Sequence, residues 1–115
     1  MDLIQFQLEV FSWGRNNFGQ GVPHQPLIGV MEELGELAHA HLKAEQGIRK
    51  MSREEYEKQA HDAIGDIIVY LADYCGINGL NLEHAIQDTW SRVKLRDWRE
   101  NPETGGKERE EVEGA

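Results

Sequence analysis

Apolar residues recur along this chain at the spacing of helical turns, and four segments carry that rhythm. In the first, residues 2–13, Leu3, Ile4, Phe6, Leu8, Val10 and Phe11 supply a broad apolar face. Asp2 suits its N-cap, and Gly14 with Asn16-Asn17 are its stop signals. A loop rich in Gly, Asn and Pro follows over 14–26, broken by Pro23 and Pro26. Pro26 also suits the first turn of the next helix, which runs from Gln25 to Gln46 with Gly47 at its C-terminal end. Ser52-Arg53-Glu54-Glu55 has the form of a capping box and opens a third helix that ends near Gly76 or Gly79. Asn81 caps a fourth helix, Leu82 to Trp98, with Leu82, Ala85, Ile86, Trp90 and Val93 on its apolar side. Beyond Asn101-Pro102 the chain is mostly Gly, Glu and Lys, the composition of a disordered acidic tail. The expectation is an all-α fold, with a helical domain over residues 1–100 and a tail over 101–115.

The polar positions of the two middle helices are unusual. An α-helix turns by about 100° per residue, so Glu32, Glu33 and Glu36 fall within an arc of about 100°. Leu27, Val30, Met31, Leu34, Leu37 and Ala38 fill the other side. In the third helix Asp62, Asp66, Tyr70 and Asp73 share an arc of about 80°, with Ile64, Ile67, Ile68, Leu71 and Cys75 opposite. Such an acidic stripe is commonly a solvated face, and that reading stays open. Two features argue for more. No Lys or Arg interrupts either arc, so the i,i+4 pairs of an ordinary surface helix are missing. Tyr70 also places an aromatic ring among the acids. If the two stripes converge, four or five carboxylates meet around one point. Carboxylates at that density resist ionisation, and a hard divalent cation such as Mg²⁺ relieves the repulsion.

A length of 115 residues suits one domain with a modest core, and association with further copies would help it. The net charge of −9 argues against a nucleic acid polymer binder, which needs a basic patch, and disfavours an anionic membrane surface. The single cysteine, Cys75, excludes an internal disulfide and falls on an apolar arc, as a buried structural thiol does. Met1-Asp2 starts no basic leader, and the longest apolar run, Ile67 to Ala72, is too short for a bilayer. A soluble, cytoplasmic protein is expected.

Glu32-Glu33-x-x-Glu36, followed after a spacer by Asp66-Ile67-Ile68-Val69-Tyr70-Leu71, resembles the MazG-like all-α nucleotide pyrophosphohydrolases over residues 25–98. The resemblance implies a four-helix bundle assembled as a homodimer or tetramer. It also implies Mg²⁺-dependent splitting of a nucleoside triphosphate into monophosphate and pyrophosphate, with Mn²⁺ as a substitute ion. Glu33, Glu36 and Asp66 are the implied metal ligands. The family's Glu three residues before Asp66 is Ala63 here, and Asp62 is the nearest substitute, since i and i+4 share a helix face. Glu32 or Glu33, beside Glu36, is the candidate to orient or deprotonate the attacking water. Tyr70, one turn beyond Asp66, is implied to pack against base or sugar, with Trp13 and Asn17 completing the pocket. Lys94 and Arg96, in the locally basic end of the fourth helix, are implied to approach phosphates.

Each assignment has a plainer counterpart. Trp13 and Phe18 suit core anchors, and Lys94 and Arg96 suit a helix C-terminus. Ala63 favours a catalytically silent nucleotide-binding or regulatory module that has kept the fold. Glu36-Leu37-Ala38-His39 matches the Glu-x-x-His of di-iron bundles, but the sequence holds no second copy, so His39 is expected at the surface or in support of a metal ligand.

Overall fold

The computed structural model describes residues 1–106. They form α1 (Leu3–Phe18), α2 (His24–Gln46), α3 (Arg53–Asn78) and α4 (Leu82–Val93), with no strand among the described residues. The fold is all-α. No single helix among the described residues is long and apolar enough to cross a membrane. The chain divides into two compact units, Met1–Leu80 and a second that begins at Asn81.

Local chemistry accounts for most helix ends. Asp2 accepts from the Ile4 and Gln5 amides, at 2.9 and 3.1 Å, and Ser52 Oγ accepts from the Glu55 amide at 3.0 Å. The Glu55 carboxylate accepts instead from Gln59 Nε2. Asn81 accepts from the His84 amide. Gly47 and Gly79 end α2 and α3 in the left-handed region, at φ 68° in both cases, where a glycine carries no Cβ penalty. Pro26 is the third residue of α2, where a missing N–H costs no intrahelical bond.

Two helix ends differ from the sequence expectation. α1 does not stop at Trp13 but runs to Phe18. Gly14 sits inside it because a Cβ there would stand 2.8 Å from Asp73 Oδ1. Asn17 turns its amide back onto the Trp13 carbonyl at 2.8 Å, so it supports the helix instead of ending it. The connecting segment shrinks to residues 19–23. At the other end, α4 stops at Val93, short of Trp98. Asp97 nucleates a new turn, accepting from the Arg99 and Glu100 amides, while its own amide donates to the Gly105 carbonyl at 3.0 Å. Gly105, at φ 65°, is buried under Trp98; a Cβ on it would meet the indole at 2.8 Å. Residues 101–106 thus belong to a closed turn, and the rest of the expected tail lies outside the described residues.

Within the first unit α3 packs against both α2 and α1. The expected core stripe of α2 is not what it buries. Pro26 and Ala40 are buried and Val30 and Leu37 are partly covered, but Leu27, Met31, Leu34 and Ala38 are exposed. The side of α2 turned to α3 instead carries Gly29 and the half-buried Glu33. On α3, Ala63, Ala72 and Cys75 are buried, whereas Ile64 and Ile68 are exposed. Burial raises the pKa of the Cys75 thiol, as suits an inert structural residue.

Candidate functional site

The acidic sides of α2 and α3 converge. Glu33 and Glu36 from α2 and Asp62 and Asp66 from α3 line one cleft of about 240 Å³, floored by the buried Ala63. The tightest group is Glu32, Glu33 and Glu36, each offering a carboxylate oxygen within 4.8 Å of the others. Their spacing, i, i+1 and i+4 on a single helix, accounts for this. Asp62 and Asp66 stand outside that group. Both are exposed, and Asp62 Oδ1 lies 3.5 Å from His61 Nδ1. Glu32, expected to act on water only, therefore joins the candidate metal ligands, while Asp62 lines the cleft without belonging to that group. Ala63, buried on α3, is among the residues lining the cleft. The glutamates are hard oxygen donors, a set that could hold a metal ion.

Electrostatics marks the same point. The Glu33 carboxyl is held above its ordinary value by partial burial, then by the charges of Glu36, Asp66 and Glu32. Tyr70 is likewise pushed up, by burial first and then by Glu33, Glu32, Asp66 and Glu36. Its phenol stays protonated and available as a donor at neutral pH.

Glu33 and Asp66 also form one wall of a second chamber of about 190 Å³, completed by Trp13, Phe18, Val69 and Tyr70. Trp13 and Phe18 meet edge to face with centroids 5.6 Å apart. Both remain more than half exposed, so they border this chamber rather than anchor the core. The Tyr70 ring reaches it because position 29 is glycine: a Cβ there would stand 2.6 Å from the ring. Gly29→Ala should therefore cost about 1–2 kcal/mol, overpacking outweighing the gain in helix propensity. Urea denaturation measures it, and an unchanged or more stable variant would show that the ring moves aside freely.

A third chamber of about 200 Å³ shares Phe18, Tyr70 and Asp73 with the second and adds Arg15. Arg15 Nη2 donates to both Asp73 oxygens at 3.3 Å, and its guanidinium stacks over Phe11 at 5.1 Å. Sequence reasoning passed over Arg15. Its signal was isolation, since no other Lys or Arg occurs in the first 42 residues.

Of the other expected site residues, Asn17 is not among those lining these chambers; its amide is committed to the Trp13 carbonyl. Lys94 is the C-cap of α4 and Arg96 lies in the turn after it. Both belong to the second unit, outside the one that carries the cleft. His39 is exposed and does not line the acidic cleft. No family model matches this chain, and neither does any curated protein or solved structure.

Proposed function

We propose that this chain is a Mg²⁺-dependent nucleoside triphosphate pyrophosphohydrolase with a MazG-like helical bundle, acting on the cytoplasmic nucleotide pool. One observation carries the reading. A carboxylate cleft and an aromatic chamber share Glu33 and Asp66 as a common wall. A triphosphate with its base attached needs both kinds of surface, side by side. Glu32, Glu33 and Glu36, with Asp66 and Asp62 opposite, would hold the ion, which when bound supplies the positive charge that phosphate oxygens require. Without it, a chain of net charge −9 repels its own substrate.

Each residue then has a task. A glutamate not taken up by metal, Glu32 or Glu33, orients the attacking water and accepts its proton. Tyr70 and Trp13 sandwich or border the base. Asn17 acts only through the end of α1.

The protein is proposed to work as a homodimer or tetramer. Leu27, Met31, Leu34 and Leu42 form an exposed apolar stripe on α2, and Ile64 and Ile68 are exposed on α3. A second copy is the simplest cover for helices whose partner within the unit lies on the acidic side.

The test is a product assay across ribo- and deoxyribonucleoside triphosphates, with Mg²⁺ present or chelated. Monophosphate plus pyrophosphate, lost on chelation, is the expected result. Diphosphate plus orthophosphate, or turnover that survives chelation, would overturn the reading. Ala63 favours a second reading, a silent nucleotide-binding module, because the cleft lacks the fourth glutamate at its floor. Binding of nucleotide without any turnover would establish that one.

A further inference from the structure

We infer that the chamber behind Tyr70 reads the edge of the nucleobase, with Arg15 and Asp73 as specificity-determining residues. The inference rests on the nucleotide reading above and locates the part of the substrate that decides preference. The Arg15–Asp73 pair is mostly covered, at 23% and 15% side-chain exposure. Arg15 Nη2 is bound to Asp73, but Nε and Nη1 are buried with no hydrogen-bond partner. Buried donors are almost always satisfied, and a buried pair kept for stability alone is commonly no better than apolar packing. A guanidinium left two donors short is better explained by a ligand that supplies acceptors.

The chemistry of the pair selects the ligand. Arginine only donates, and an ionised aspartate only accepts. Once residues 19–23 move off Nη1, the pair offers donors beside an acceptor. A nucleobase edge is the complement, with a carbonyl or ring nitrogen next to an N–H. A phosphate would satisfy Arg15 and be repelled by Asp73, and an aliphatic group would satisfy neither. The chamber also adjoins the aromatic chamber assigned to the base. Phe18, Tyr70 and Asp73 border both it and the aromatic chamber, which in turn meets the acidic cleft at Glu33 and Asp66.

The connecting segment is fitted to this pair. Gly21 lies against the guanidinium, where a Cβ would run into Arg15 Nη1 and stand 2.5 Å from Ile77 Cγ1. Reaching Nη1 takes a shift of residues 19–23. Val22, 38% exposed, and Gln25, at the start of α2, line the same chamber. A base with the wrong edge leaves the spare Arg15 donors without an acceptor, which discriminates more strongly than shape does.

The experiment is amide NMR on the full chain in chelator, titrated with each of the four deoxynucleoside 5′-monophosphates and with 2-deoxyribose 5-phosphate. At least one monophosphate should shift the Gly21, Val22 and Asp73 amides saturably, and the sugar phosphate should not. Asp73→Asn and Arg15→Gln should weaken that monophosphate about tenfold or more and reorder the four. Should either variant fail to fold, Val22→Trp narrows the chamber without touching the pair and should abolish the shifts. Amides unmoved by all four probes, equal shifts from the sugar phosphate, or an unchanged ranking in the folded variants would each overturn the inference. Metal-dependent triphosphate turnover with those amides silent overturns it while leaving the hydrolase reading intact. Base-dependent shifts without turnover do the reverse.

Discussion

Glu33→Gln should lower the proposed pyrophosphohydrolase turnover by about two orders of magnitude or more and yet yield a metal-free protein more stable than the parent at neutral pH. The opposite signs follow from the placement of one side chain. Glu33 is half-buried and lies among Glu32, Glu36 and Asp66, which hold its carboxyl above the ordinary 4.5. The folded chain therefore binds this proton more tightly than the unfolded chain. Below pH 4.5 both states are protonated and the carboxylate costs nothing. As pH rises through the raised value, the folded state is forced to carry an unfavourable charge and stability falls. Glutamine has no proton to lose, so the two melting curves should coincide in acid and separate toward neutrality, with the variant higher. Mg²⁺ should stabilise the parent and leave the variant almost unmoved, because a ligand stabilises only the state that binds it. Thermal melts across pH with and without Mg²⁺ measure both effects. A variant less stable than the parent at neutral pH would mean that Glu33 is structural rather than a ligand held in reserve. Full turnover by the variant would remove Glu33 from the site.

The second large effect concerns assembly. The double variant Met31→Glu, Leu34→Glu should convert the proposed dimer or tetramer to monomer at micromolar concentration, weakening association by about a hundredfold or more. Two fully buried apolar side chains contribute about 3–6 kcal/mol together, and charges in their place add a desolvation cost. In the parent chain Met31 is 69% and Leu34 55% exposed, so neither substitution disturbs packing within the unit. Light scattering coupled to size exclusion reads the mass directly. A parent that is already monomeric, or a double variant of unchanged mass, would sink the proposal that this stripe is an interface.

Periodicity and end signals made the helices legible. Asp2, Gly47, Ser52, Gly79 and Asn81 each act within four residues of where they stand, so their effects are written locally. The misreadings came where a local signal was overruled from a distance. Gly14 reads as a stop, but it is a small residue chosen for Asp73, fifty-nine positions on. Trp98 reads as the end of a helix, but it is the cover of a turn closed by Gly105. Gly29 carries no signal at all until the Tyr70 ring is placed against it.

The candidate site divides the same way. The acids of α2 and α3 could be picked out from arcs on a helical wheel, because a 3.6-residue repeat fixes which residues share a side. Which side meets the neighbouring helix is not fixed by that repeat. The sequence suggested burial of Leu27, Met31 and Leu34. The tertiary structure turned Gly29 and Glu33 inward and left those apolar residues outside. Arg15 and Asp73 are the plainest case. They are fifty-eight positions apart, and only the packing of α1 against α3 brings a lone guanidinium and a carboxylate together in a shared chamber. By itself the sequence determined an all-helical chain and the identity of its carboxylates, since both depend on near neighbours. The tertiary structure decided which carboxylates meet and which apolar stripe is left uncovered, because helices pack through contacts that no local pattern specifies.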